Sequence, residues 1–170
     1  MKKYIIKNEK LNYEYENGEF EYKSSNDFEI ELYEDLEIAK AEFNKLNTSV
    51  LLDSYNDYII SELNLYEIDL DESELDEFDL DEINFEDLKE LDNKSFDLDI
   101  LELAKKYDTL SISHEENFDA VVSWLKNKIE SNIKFLKEDD EDLYEEEIKE
   151  LKEDFNLVSQ YEKDEREKKI

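Results

Sequence analysis

The chain has 170 residues, 52 of them Asp or Glu against 21 Lys or Arg, a formal net charge of −31, with no cysteine, no proline and one glycine. That inventory excludes a disulfide framework and a thiolate metal site, a glycine-rich phosphate cradle and, for want of any run of 18 apolar residues, a membrane-spanning helix. Leu, Ile, Val and Phe still make up about 29% of the chain, above the ~20% below which disorder is expected, so the sequence predicts a folded core and not an acidic coil.

Residues 1–66 read as a small α+β unit. Tyr4-Ile5-Ile6 predicts a first strand, and Leu11-Asn12-Tyr13-Glu14-Tyr15 a second. Asn17-Gly18 follows, the strongest short hairpin signal. Period-2 alternation in Glu19-Phe20-Glu21-Tyr22-Lys23 and in Phe28-Glu29-Ile30-Glu31-Leu32 predicts two further half-buried strands. Asp35 is a suitable cap for a helix from Leu36, whose Leu36, Ala39, Phe43 and Leu46 share one face. Strands are expected again around Val50–Leu52 and from Tyr58 to about Leu70.

Residues 67–99 hold sixteen Asp or Glu and only Lys89 and Lys94 in opposition, nearly half the net charge in a fifth of the chain. Leu70, Leu75, Leu80 and Phe85 recur on a five-residue beat, and Asp69-Leu70-Asp71-Glu72 is echoed by Asp79-Leu80-Asp81-Glu82. Regular hydrophobes of this kind predict a loop or short strands pinned to the core, with carboxylates facing water.

From residue 97 onward the pattern is helical. Asp97 to Lys106 suits a short helix, and Ser113 with Glu116 reads as a capping box opening a long helix with Phe118, Val122, Leu125, Ile129, Ile133 and Leu136 on one face. Asp139-Asp140 marks a break. Tyr144, Ile148, Leu151, Phe155 and Val158 then form a 4-3-4-3 seam, closing within one chain or between two copies. The expected architecture is α+β: a small antiparallel sheet with one helix at the N-terminus (1–66), an acidic connecting segment packed on it (67–96), and a C-terminal helical hairpin (97–170).

Catalytic chemistry finds little to work with. His114 is the single histidine and follows the expected cap, where a surface role in the first turn is the simpler account. Glu-x-Lys dipeptides such as Glu147-Ile148-Lys149 arise by chance in so charged a chain. Asp69, Asp71 and Ser73 resemble the opening of a calcium loop, but its required glycine and bidentate glutamate positions hold Glu74 and Leu80. No enzyme activity, cofactor or specific metal site is expected, and no direct binding to nucleic acid or to an anionic membrane. The short apolar stretch after Met1 does not make a signal peptide, so a cytoplasmic location is expected.

The charge points instead to a basic partner. Duplex DNA carries one negative charge per ~1.7 Å, so 31 charges match roughly 53 Å of duplex, on a chain whose compact radius of gyration is about 15 Å. Carboxylates recur every ~6.6–6.8 Å along one face of a strand and about 5–6 Å apart over one helical turn, so either scaffold presents a regular anionic row. The candidate partner-binding residues are Asp69, Asp71, Asp76, Asp79, Asp81 and Glu82 in the acidic segment, with Asp139, Asp140, Asp142, Glu145 and Glu146 at the last helix.

In size, in lacking Cys and Pro, and in the acidic runs Glu67–Asp99 and Glu138–Asp154, the chain resembles the small acidic inhibitors that phages carry against host defence nucleases, the anti-restriction DNA mimics and anti-CRISPR proteins. The resemblance is one of character across the whole chain. It implies a stoichiometric inhibitor in the host cytoplasm, seated on the nucleic-acid-binding surface of a CRISPR effector or another defence nuclease. Two other readings share the composition: an immunity protein or antitoxin for a cationic nuclease toxin, and a helical adaptor whose charge serves solubility alone. Exposure of Tyr13, Tyr15, Tyr55, Tyr58 and Tyr66 would favour the adaptor, because interfaces are enriched in tyrosine.

Overall fold

The structure is a computed structural model, and it describes residues 1–70 and 83–168. It divides into two compact units, Met1–Phe96 and Asp97–Ile170. The class is α+β.

The first unit is built on an antiparallel sheet. Strand β1 (Lys2–Glu16) runs on into β2 (Glu19–Tyr33) through Asn17 and Gly18, both at positive φ (55° and 82°). Two positive-φ residues define the tight turn that matches strand twist, and Asn-Gly tolerates it best. Helix α1 (Leu36–Lys45) follows, then β3 (Ser49–Ser54), β4 (Asp57–Asp69), a single 3-10 turn at Phe85–Asp87, and β5 (Lys89–Ser95). β1 lies between β2 and β4, with Tyr4 opposite Tyr33 on one side and Glu67 on the other. β4's far side is shared: β3 pairs with its first half, Val50 facing Ile60, and β5 with its second, Leu63 facing Lys94.

The expected N-terminal arrangement needs correction. The N-terminus is strand, and the unit's helix enters only at Leu36, after two long strands. Where four short strands were expected over residues 4–32, two continuous ones of 15 residues each form. The polar stretch Lys7–Lys10 does not break β1, because the strand is central and its polar side chains find partners: Lys7 pairs with Glu9 at 2.7 Å, and Lys10 Nζ donates to Ser49 Oγ at 3.1 Å. Ser24–Asp27 resembles a loop but is absorbed into β2 by two register shifts, which leave Lys23 and Asn26 with no residue opposite them in the β1 register. Such bulges bend and twist an edge strand, which guards it against pairing with other chains.

Helix α1 covers one face of the sheet. Its Asp35 cap accepts from the Ile38 N–H at 3.0 Å, and Ala39 and Phe43 bury against Tyr4, Ile6, Leu63 and Leu65. β5 closes the other end of the helix: Lys94 Nζ donates to the carbonyls of Phe43 (2.8 Å) and Leu46 (3.1 Å) and lies 4.7 Å over the Phe43 ring. A cation on the last carbonyls of a helix satisfies acceptors that have no intrahelical donor and suits the negative end of the dipole. On the opposite face, Lys7 lies 4.4 Å over Phe85, which also contacts Tyr66 and Phe28.

The second unit holds α2 (Leu98–Lys106), a short strand β6 (Glu115–Asn117), α3 (Phe118–Asp140) and α4 (Glu145–Lys168). It is not a simple helical hairpin: the short helix expected over Asp97–Lys106 forms as α2 and packs against both longer ones. Ser113 does not cap α3. It sits at φ 66°, and the cap is Asn117, whose side-chain oxygen accepts from the Ala120 N–H at 2.8 Å. Ser-x-x-Glu and Asn-x-x-Ala both supply a cap side chain, and the strand that interposes at 115–117 places the usable one. Val121, Val122, Leu125 and Ile129 of α3 are fully buried, as is Val158 of α4. Polar ties run along the same packing: Lys126 meets Glu162 at 3.0 Å, and Lys106 of α2 meets Glu150 (2.9 Å) and Asp154 (2.8 Å) of α4.

Candidate functional site

Five of the eleven predicted residues come together at one corner. α3 ends at Asp140, a four-residue turn follows, and α4 begins at Glu145, so Asp139, Asp140, Asp142, Glu145 and Glu146 cluster there, all exposed. The turn is tightly held. Asp140 Oδ1 accepts from the Leu143 N–H at 3.2 Å, its carbonyl accepts from the Tyr144 N–H at 3.2 Å, and the Tyr144 carbonyl accepts from Ile148 at 2.9 Å. The carboxylates are therefore carried on a rigid corner and not on a floppy loop. Glu138, Glu141 and Glu147 extend the cluster.

Asp69 lies apart, at the end of β4, and the N-terminal amine meets it at 3.2 Å. Asp71, Asp76, Asp79, Asp81 and Glu82 lie outside the described residues. At the described edges of that segment carboxylates are matched by cations, since Glu67 also faces Lys2 (3.4 Å) and Lys89 (3.9 Å).

Among the described residues, none of Glu138, Asp139, Asp140, Glu141, Asp142, Glu145, Glu146 or Glu147 makes an ion pair. The electrostatics of the corner divide in two. Glu145–Glu147 occupy the first turn of α4, where the helix dipole favours negative charge. Glu138–Glu141 occupy the C-terminal end of α3, where the dipole is negative and only Lys137 in the last turn opposes them. Each acid in that position costs roughly 0.3–1 kcal/mol, in addition to repulsion from its neighbours.

Tyr144 reports the resulting field. Its hydroxyl pKa is raised above the ordinary value, first by the Asp139 charge, then by a hydrogen bond to Asp139, with Glu147 and Asp140 adding to the effect. Two other tyrosines are raised to about 12, first by a hydrogen bond, Tyr33 to Glu31 and Tyr161 to Asp99, and then by burial and nearby carboxylate charge. A spectrophotometric titration should therefore show Tyr144 moving back toward ~10 as salt is added, while Tyr33 and Tyr161 stay high. Comparison with Tyr144→Phe assigns the signal, and a salt-independent Tyr144 would refute the field. The sign for stability follows. These hydroxyls titrate lower in the unfolded chain, so their contribution is complete below about pH 10 and is lost as pH climbs through about 12 for Tyr33 and Tyr161.

A second anionic row went unrecognised in the sequence. β2 is an edge strand of the first unit, and its Glu19, Glu21, Asp27, Glu29 and Glu31 are exposed. The alternation that predicts the strand also places these acids, with Asp27, Glu29 and Glu31 on a common face, about 6.6–6.8 Å apart. Lys23 neutralises Glu21 in part, at 3.2 Å.

Among the described residues no group of three or more His, Cys, Asp or Glu is placed to hold a metal ion, and no helix is long and apolar enough to cross a membrane. No family model, curated protein or solved structure matches the chain.

Proposed function

We propose that this protein is a non-enzymatic inhibitor that binds the basic nucleic-acid-binding surface of a defence nuclease, such as a CRISPR effector, by presenting carboxylates where the nuclease expects phosphates. The observation that carries this reading is the placement of Glu138–Glu141. A protein needing charge only for solubility gains as much from acids at helix N-termini, where they stabilise. Here four consecutive acids sit at the negative end of α3, without an ion pair among the described residues. Charge held at a cost to the fold is accounted for by a partner that uses it.

The adaptor reading loses most of its expected support. Tyr58 and Tyr66 are buried, and Tyr13 and Tyr15 are half-buried in edge-to-face contacts with Tyr22 and Phe20. Of the five tyrosines in question only Tyr55 is exposed, at 79%.

The test uses opposite signs. The immobilised chain should retain, at low salt, a nucleic-acid-binding protein that excess duplex DNA releases. Glu138→Gln with Glu141→Gln should then raise thermal stability, by about 0.3–1 kcal/mol per site, while weakening retention of that partner. If stability rises and retention is unchanged, the corner is not the binding surface. If duplex DNA fails to release the partner, mimicry is wrong.

A further inference from the structure

Beside the acidic corner, within the second unit, α3 and α4 enclose an open cleft of about 360 Å³ with the end of α2. Phe135, Leu136 and Leu151 form its apolar wall, and Glu147 and Glu150 stand at its rim. Phe135 is 70% exposed although it is aromatic and lies beside the half-buried Ile133 and Leu136. Glu147 has no ion-pair partner among the described residues.

The chain's own cations show what this combination of groups holds. Lys106, at the same cleft, donates to Glu150 and Asp154 and lies 5.5 Å over the Tyr107 ring. Lys126 pairs with Glu162 and lies 5.6 Å over Phe155. Lys7 pairs with Glu9 and lies 4.4 Å over Phe85. In each case a carboxylate fixes the charged head while a ring presents its face to the cation. Phe135 and Glu147 present the same two components, and among the described residues no cation lies over that ring.

We propose that this cleft receives an arginine side chain of the basic partner, its guanidinium stacked on Phe135 and hydrogen-bonded to Glu147. This rests on the function proposed above and names the anchor of that contact. Arginine fits better than lysine for geometric reasons. Its planar fork can stack on a ring and bond a carboxylate with two parallel N–H groups at once, and its aliphatic stem covers apolar wall such as Leu136 and Leu151. A second copy of this chain is disfavoured as the occupant, because each copy carries −31.

The probe is the short peptide acetyl-Gly-Arg-Gly-Arg-Gly-amide, added to the full ¹⁵N-labelled chain, with lysine, citrulline and norleucine versions alongside. The arginine peptide should shift amides at residues 132–136 and 147–151 and bind about tenfold tighter than the uncharged citrulline peptide. Phe135→Ala and Glu147→Gln should each weaken it by roughly two- to tenfold, and since both side chains are exposed, circular dichroism should show the fold unchanged. Equal binding of the citrulline or norleucine peptide overturns the proposal, as do shifts spread evenly over all acidic residues. Partner capture separates the two levels. Retention released by duplex DNA but unaffected by either variant sinks the anchor and leaves the mimicry reading standing. Retention that duplex DNA does not release sinks the mimicry reading, whatever the peptides do.

Discussion

Replacing Phe43 with alanine is expected to destabilise the first unit by about 3–5 kcal/mol, a large part of the ~5–15 kcal/mol that holds a typical domain. Phe43 is 1% exposed, and it fills the space between α1 and the strand residues Tyr4, Ile6, Leu63 and Leu65. Its removal leaves a void beneath the helix and takes away the ring over which Lys94 sits. Lys94 also caps the α1 carbonyls, so the void loosens both ends of the contact. Urea denaturation followed by circular dichroism checks the size of the loss. Trp124, the single tryptophan, lies on α3 in the second unit, so its fluorescence follows that unit separately. Ile38→Ala on the exposed side of the same helix should change stability by no more than about 0.5 kcal/mol. A Phe43→Ala loss below about 1 kcal/mol would mean that α1 does not carry this core.

Converting Asp139, Asp140, Asp142, Glu145 and Glu146 together to Asn and Gln takes the net charge from −31 to −26 and is expected to slow association with the DNA-displaced partner by about tenfold at low salt. The ceiling on the effect is the gap between electrostatically steered encounter, up to ~10⁸–10⁹ M⁻¹s⁻¹, and neutral encounter at ~10⁵–10⁶ M⁻¹s⁻¹, because the remaining charges still steer. Near 1 M salt the Debye length falls to ~3 Å, and the original and neutralised proteins should associate at similar rates. Stopped-flow or surface-binding kinetics across a salt series reads both effects. A low-salt rate that the five substitutions leave unchanged would place the recognition surface elsewhere, and the acidic row of β2 would be the next one to neutralise.

Much of the local structure was legible because the signals that make it are themselves local. Asp35 caps α1 through its own side chain three residues on. The Asn17-Gly18 turn needs only two residues that accept positive φ. The α4 seam buries Ile148 and Val158, as an apolar stripe at helical spacing must. Ser113 misled because a cap signal states only what a side chain can bond. Where the chain enters the helix is decided by the backbone around it, here a short strand ending at Asn117. The bulges at Lys23 and Asn26 were invisible for the same reason: a bulge exists only relative to the partner strand.

The candidate site divides in the same way. Composition located the acids of the corner, yet the strain they impose depends on α3 ending at Asp140. With a helix boundary one turn later these acids would be ordinary mid-helix charge. The β2 row was written in the alternation of residues 19–31, but its exposure follows from β2 standing at the sheet's edge. The cleft beneath Phe135 requires three helices to meet, and nothing in the spacing of residues along one of them could announce it.

By itself, then, the sequence determined the α+β class, the foldability of a chain at −31, and the stretches where carboxylates crowd, because apolar content, periodicity and charge are properties of single segments. Tertiary structure decided which acids are neutralised by lysines and which stand without an ion pair, which helix end they load, and where a ring lies open beside them. Those outcomes depend on pairs of groups distant in the chain, and only packing brings such pairs within a few ångströms.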